Sequence, residues 1–143
     1  MVGVDADSEG HAERARAFWA NQVYKGRSLA GAPLAGLDLS GLDLGGVDFG
    51  GADLRDADLR GADLSQARLV GASLTGALLD GASLHNADLT GADLTDARLS
   101  DTDLSGADFT DATLLGARLH GARVAGAVFH NTISTDGTLI SDP

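Results

Sequence analysis

The chain contains no cysteine, only two prolines, one tryptophan and one tyrosine, and a single lysine among its ten basic residues. Without cysteine there is no disulfide scaffold, no thiolate metal site and no cysteine nucleophile. Ten basic against 21 acidic side chains give a formal charge of −11 and a pI of about 4.4. That excludes a nucleic-acid binder held by a basic surface, because such binding rests on Lys and Arg neutralising phosphates. No apolar run approaches the ~18 residues of a membrane span. The N-terminus lacks the basic and apolar regions of a signal peptide, so a cytoplasmic protein with no membrane partner is expected. What the chain does have is glycine, 20 of 143 residues, and apolar residues at 43%. Their strict order argues against the disorder that the charge would otherwise suggest. The length is that of one domain.

The order is a repeat of five. Written in blocks from Ala32, the chain holds one pattern through Asn131 without an insertion. The central residue of each block, position i, runs from Leu34 to Phe129 in steps of five. Sixteen of these twenty centres are Leu, three are Phe (Phe49, Phe109, Phe129) and one is Val124. From Ala52 to Ala127, position i−2 is Ala at fifteen of sixteen blocks, with Thr102 the exception. Position i+2 is Gly, Asp or Asn at nineteen of twenty, with Gln66 the exception.

A period of five suits neither a helix face at 3.6 nor a strand at 2. It suits a short extended piece followed by a turn. Residues two apart in an extended piece face the same way, so i−2 and i point inward and i−1 outward. The turn falls around i+1 and i+2, where Gly, Asp and Asn tolerate left-handed backbone. A small and a large inner residue together imply a narrow interior, with Leu or Phe on the axis and Ala at the wall.

Blocks such as Ala52-Asp53-Leu54-Arg55-Asp56, Ala62-Asp63-Leu64-Ser65-Gln66 and Ala92-Asp93-Leu94-Thr95-Asp96 resemble the A-(D/N)-L-x-x motif of the pentapeptide repeat proteins. The resemblance covers about 100 of the 143 residues. It implies an all-β solenoid, a right-handed quadrilateral β-helix with four repeats per coil, and hence five coils. At the strand spacing of ~4.8 Å the rod would be about 24 Å long. Three regions are expected: residues 1–26 as tail and α-helical cap, 27–131 as the β-helix, and 132–143 as a closing segment. Residues Glu9 to Tyr24 read as the cap helix, with Trp19 or Phe18 plugging the first coil. Thr132 to Ile140 leaves the motif but keeps Ile133, Leu139 and Ile140 apolar, so it either closes the last coil or forms a homodimer contact.

With four repeats per coil, outward residues twenty apart stack in columns. Asp48, Arg68, Asp88, Asp108 and Val128 form one, and Asp43, Asp63, Ser83, Asp103 and Arg123 the next. Asp38, Asp58, Leu78, Arg98 and Arg118 form a third, and Pro33, Asp53, Ser73, Asp93 and Thr113 the fourth. The candidate acidic surface is therefore Asp38, Asp43, Asp48, Asp53, Asp58, Asp63, Asp88, Asp93, Asp103 and Asp108. Leu78, Arg98 and Arg118, flanked at i+1 by Asp80 and His120, form the least repetitive face and a candidate recognition patch.

Catalytic motifs are missing. Gly71-Ala72-Ser73-Leu74-Thr75-Gly76 has the wrong spacing for a nucleophile elbow, and the glycines from Gly45 to Gly51 lack the Lys-Ser/Thr ending of a phosphate loop. His85, His120 and His130 fall on three different sides, which separates them as metal ligands. The expectation is a non-enzyme without cofactor or metal that binds a protein partner. The family resemblance implies a specific one: members of this family that resemble B-DNA bind DNA gyrase, inhibiting it or protecting it from quinolones. The alternatives are a structural or regulatory scaffold with another partner and a small-molecule-binding or catalytic protein of a biosynthetic or self-resistance cluster.

Overall fold

A computed structural model of the chain describes residues 16–21 and 28–141. Its organising feature is a set of seventeen parallel bridges, from Pro33↔Asp53 to Thr113↔Ile133, each joining a residue to the one twenty positions later. Twenty residues are four repeats, so the chain completes one circuit every four blocks and has four sides. The first side carries the centres Leu34, Leu54, Leu74, Leu94 and Leu114, and the second carries Leu39 to Leu119. The third runs from Leu44 to Val124, and the fourth from Phe49 to Phe129.

The geometry follows from where each backbone N–H goes. In the block centred on Leu59, Leu59 N–H donates to Leu78 and Gly61 N–H to Asp80, both one circuit ahead, while Asp58 N–H donates back to Leu37. Ala62 N–H closes a turn onto the Leu59 carbonyl at 3.0 Å. All twenty i+2 residues from Gly36 to Asn131 have positive φ, between 51° and 75°, the pattern of a type II turn. Thirteen are Gly; the seven others include Asp56, Asn86 and Gln66. Their side chains restrict the next rung: a Cβ at Gly106 would lie 2.0 Å from Asn86 Oδ1.

The inward residues stack into one continuous core. Leu34 through Leu114, Phe49 and Phe109 are all buried, and the i−2 alanines from Ala52 to Ala112 lie against them. Thr102 is accommodated at its i−2 position because its hydroxyl donates to the Leu79 carbonyl at 3.0 Å, as a buried polar group requires. Phe109 and Phe129 stack with centroids 5.2 Å apart.

The ends differ. Of the segment Glu9 to Tyr24, residues 16–21 are described and are helical; the remainder lies outside the described residues. Trp19 packs against the core, whereas Phe18 meets the Trp19 ring edge-on, with centroids 4.9 Å apart, and stays exposed. Arg16 donates to the Ser40 carbonyl. At the other end β1 (Thr132–Ile133) continues the first side above Thr113, and β2 (Leu139–Ile140) pairs antiparallel with it. This hairpin extends one side only, and Val124 on the third side is 43% exposed.

Candidate functional site

Chemistry on this molecule is confined to its outward positions, since the axis is filled by Leu and Phe. Four of the five N–H groups in a repeat are taken by the ladder or the turn. The fifth, at i+1, is left over, and the i−1 side chain takes it. Asp38 accepts from Ser40 N–H at 3.0 Å, Asp43 from Gly45, Asp48 from Gly50 at 2.8 Å, Asp53 from Arg55 and Asp58 from Arg60. Asp63 accepts from Ser65, Asp88 from Thr90, Asp93 from Thr95, Asp103 from Ser105 and Asp108 from Thr110. All ten candidate acidic residues thus close an Asx-type turn. Asp at i−1 with a free N–H two residues on was the signal for this role, and reading these residues by charge alone passes over it.

The same bonds hold the carboxylates in their charged form. Hydrogen bonds from the Arg55 side chain and backbone bring Asp53 down to about 2. Ser40 lowers Asp38 through its hydroxyl and its N–H, and the Arg60 side chain lowers Asp58. Ser65 and Ser105 lower Asp63 and Asp103 in the same way. Depressed folded-state values mean stability that is complete above the unfolded Asp value of about 3.9 and is lost as pH falls through the folded ones. Thermal melts should therefore show a loss between about pH 4 and pH 2. Asp63→Asn keeps the turn acceptor and should melt within about 0.5 kcal/mol of the parent at pH 7, whereas Asp63→Ala should cost about 1 kcal/mol.

The ten carboxylates are not gathered at one point. Asp53 and Asp93 lie on the first side, Asp38 and Asp58 on the second, Asp43, Asp63 and Asp103 on the third, and Asp48, Asp88 and Asp108 on the fourth. Several stand directly over one another, as in Asp38↔Asp58, Asp43↔Asp63 and Asp88↔Asp108. Arginines offset part of the charge through exposed pairs: Arg55–Asp53 and Arg60–Asp58 at 2.7 Å, Arg68–Asp48 at 3.6 Å and Arg123–Asp103 at 3.7 Å. Each such pair is worth at most about 1 kcal/mol. With corner residues included, the first and fourth sides carry −3 each, the third −2 and the second −1.

The second side holds the mixed patch. Leu78, Arg98 and Arg118 share one ladder, and Leu78 is half-buried. Asp80 accepts from the Ser100 N–H at 3.2 Å and pairs with Arg98 at 3.1 Å. Asp80 thereby supplies from the rung below the acceptor that Arg98, at i−1, cannot give. Arg118 and His120 are exposed, and Arg118 forms no ion pair among the described residues. His85 and His130 contact the neighbouring amides of Asn86 and Asn131. Among the described residues no cluster of metal-ligating side chains occurs, and no helix is long and apolar enough to cross a membrane.

Comparison with known proteins bears on this architecture. The pentapeptide repeats family model matches residues 32–71, 57–96 and 92–131, with eight copies. Among curated protein sequences none matches the chain. A crystal structure of a pentapeptide repeat protein from the Arabidopsis thaliana thylakoid lumen is 35% identical, over 71% of this chain and 70% of that one, with a TM-score of 0.66. HetL, a pentapeptide repeat protein from the cyanobacterium Nostoc sp. strain PCC 7120 involved in heterocyst differentiation regulation, is 33% identical over 80% of this chain and 62% of its own, with a TM-score of 0.51. QnrB1, a plasmid-mediated fluoroquinolone resistance protein, is 26% identical over 76% and 61%, but its TM-score of 0.42 is too low to bear on function. The four-sided ladder is the right-handed quadrilateral β-helix of these relatives, a scaffold for protein interaction, and the chain belongs to the pentapeptide repeat family.

Proposed function

We propose that the protein is a non-catalytic, acidic interaction protein whose shaft occupies the basic DNA-binding groove of a type II topoisomerase such as gyrase. In this reading the twenty repeats make five coils about 24 Å long, closed at the N-terminal end by residues 16–21 through Trp19. The observation that carries it is the regular placement of carboxylates on all four sides. From Ala32 to Asn131 there are 15 Asp and 6 Arg, a net −9. Over that length this is one charge per ~2.7 Å, against one per ~1.7 Å for duplex DNA. Each i−1 carboxylate is already fixed by its i+1 N–H, so little side-chain freedom is lost when a basic groove closes on it.

A supercoiling assay with the protein titrated into gyrase, with and without a quinolone, at two salt concentrations, tests the reading. Inhibition or rescue at micromolar protein that weakens as salt rises is expected, because the attraction is between charges. Replacing Asp48, Asp53, Asp88, Asp93 and Asp108 together by Asn removes charge from the two most acidic sides while leaving an acceptor for each turn. That variant should fold normally and lose the effect. No effect of the parent protein at either salt would sink the topoisomerase reading. A second reading, a scaffold for a different protein partner, is favoured by the near-neutral second side. Its binding should resist salt and be lost in Arg98→Ala with Arg118→Ala.

A further inference from the structure

The charge of the shaft stops before its C-terminal end. Between Ala32 and Asp111 the net charge is −11, whereas Ala112 to Thr135 contains no acidic residue and carries Arg118 and Arg123. On the rung below, Leu99 N–H donates to the Arg118 carbonyl at 2.7 Å and Asp101 N–H to His120 at 2.9 Å. The equivalent N–H groups of Leu119, Gly121, Val124 and Gly126 have no acceptor among the described residues. The core ends there as well: Leu119 and Ala122 are only partly buried, and Val124 is more open still. An unpaired sheet edge over an open apolar core is a template for a further strand.

The chain itself shows how that strand would sit. On the first side, Leu114 N–H donates to the Ile133 carbonyl at 2.8 Å, Gly116 N–H to Thr135 at 3.0 Å, and Ile133 N–H to Ala112 at 3.0 Å. One added rung therefore makes three bonds and places its outward residue directly above the outward residue below. On the second and third sides those residues are Arg118 and Arg123. Elsewhere in the stack an arginine reaches back to the aspartate on the rung below it, as Arg68 does to Asp48 and Arg123 to Asp103. Arg118 stands over Arg98 instead, with no aspartate below it, and is left to a carboxylate on the added rung. The inward neighbours are Ala117 and Leu119 on one side, and Ala122 and Val124 on the other.

We infer that this end of the protein docks an extended segment of a partner protein with a small–acidic–large apolar pattern, added as a parallel rung over the second and third sides. The acidic residue would pair with Arg118 or Arg123, the small residue would lie over the alanine, and the large one would cover the open core. A second copy is a poor occupant by charge. Two such ends meeting would bring their arginines together, and a head-to-tail copy would have to displace Trp19 from the first coil and Arg16 from the Ser40 carbonyl. The inference is independent of the topoisomerase reading, which concerns the shaft.

The probe is a ten-residue peptide, Gly-Ala-Asp-Leu-Thr-Gly-Ala-Asp-Leu-Thr, titrated into the full chain with amide hydrogen exchange followed residue by residue. The peptide should slow exchange at Leu119, Gly121, Val124 and Gly126. The same peptide with Arg in place of Asp should bind at least tenfold more weakly. In Arg118→Asp with Arg123→Asp, which restores the family's usual outward residue and so should fold, the preference should reverse. Equal binding of the two peptides, a preference that survives the double substitution, or no protection at millimolar peptide would overturn the inference. So would sedimentation of the protein alone as a dimer with those amides already protected, since a second copy would then own the surface.

Discussion

Leu84→Ala is expected to destabilise the protein by about 3 kcal/mol, within the ~2–5 kcal/mol seen for emptied leucine sites. Leu84 is fully buried, midway along the third side, with Leu64 below it and Leu104 above, both equally buried. The backbone around it is pinned by its ladder bond to the Asp103 carbonyl at 2.7 Å and by the turn bond it accepts from Ala87 N–H at 2.9 Å. The walls therefore cannot collapse fully into the cavity, which keeps the cost off the bottom of the range. For a domain of this size that is on the order of 10 °C in melting temperature. A solenoid is coupled only through neighbouring rungs, so a central defect weakens the contacts on both sides of it. Val124→Ala, in the same column but at the open end, should cost less than about 1 kcal/mol. A calorimetric comparison of the two variants checks the claim, and equal losses would mean that the exposed end is covered in solution.

The opposite substitution should also be costly. Ala92→Leu is expected to lose about 1–3 kcal/mol by overpacking. Ala92 donates its N–H to the Leu89 turn carbonyl at 2.9 Å, and its own carbonyl accepts from Thr113 at 3.0 Å. The residue is thus held from both sides, with Ala72 and Ala112 stacked in the same column and all three buried. Three added carbons have nowhere to go without parting two rungs. Thr102 marks the tolerated limit at such a site, and it fits only because its hydroxyl finds the Leu79 carbonyl. Chemical denaturation of Ala92→Leu beside Ala92→Thr should show the leucine variant as the weaker by at least 1 kcal/mol.

The candidate site was legible in the sequence in its positions and not in its bonds. The i−1 aspartates could be placed on the outside by alternation alone, and their stacking in columns twenty apart is what the bridges show. Their hydrogen bonds to the i+1 N–H groups were hidden, because a charge pattern reports what faces solvent and not which backbone donor lacks a partner. Asp80 illustrates the same gap. It reads as one member of a mixed patch, but it accepts from Ser100 and Arg98 on the next rung, a contact between residues about twenty apart that no local spacing announces. The exposure of Val124 was likewise hidden, since it occupies the same position in its block as the buried Leu84.

The five-residue period alone determined the extended-turn unit, the inward small–large pair and the left-handed i+2 corner. Each of these is a local matter of side-chain alternation and allowed φ, and each recurs in every block. Tertiary structure decided which arginine meets which aspartate, how far the hairpin of β1 and β2 reaches, and where the core is left uncovered. Those outcomes depend on what lies one rung away and on where the stack ends. The inward positions of a repeating sequence look much the same at its middle and at its last rung, and the presence or absence of a neighbour decides whether they are buried.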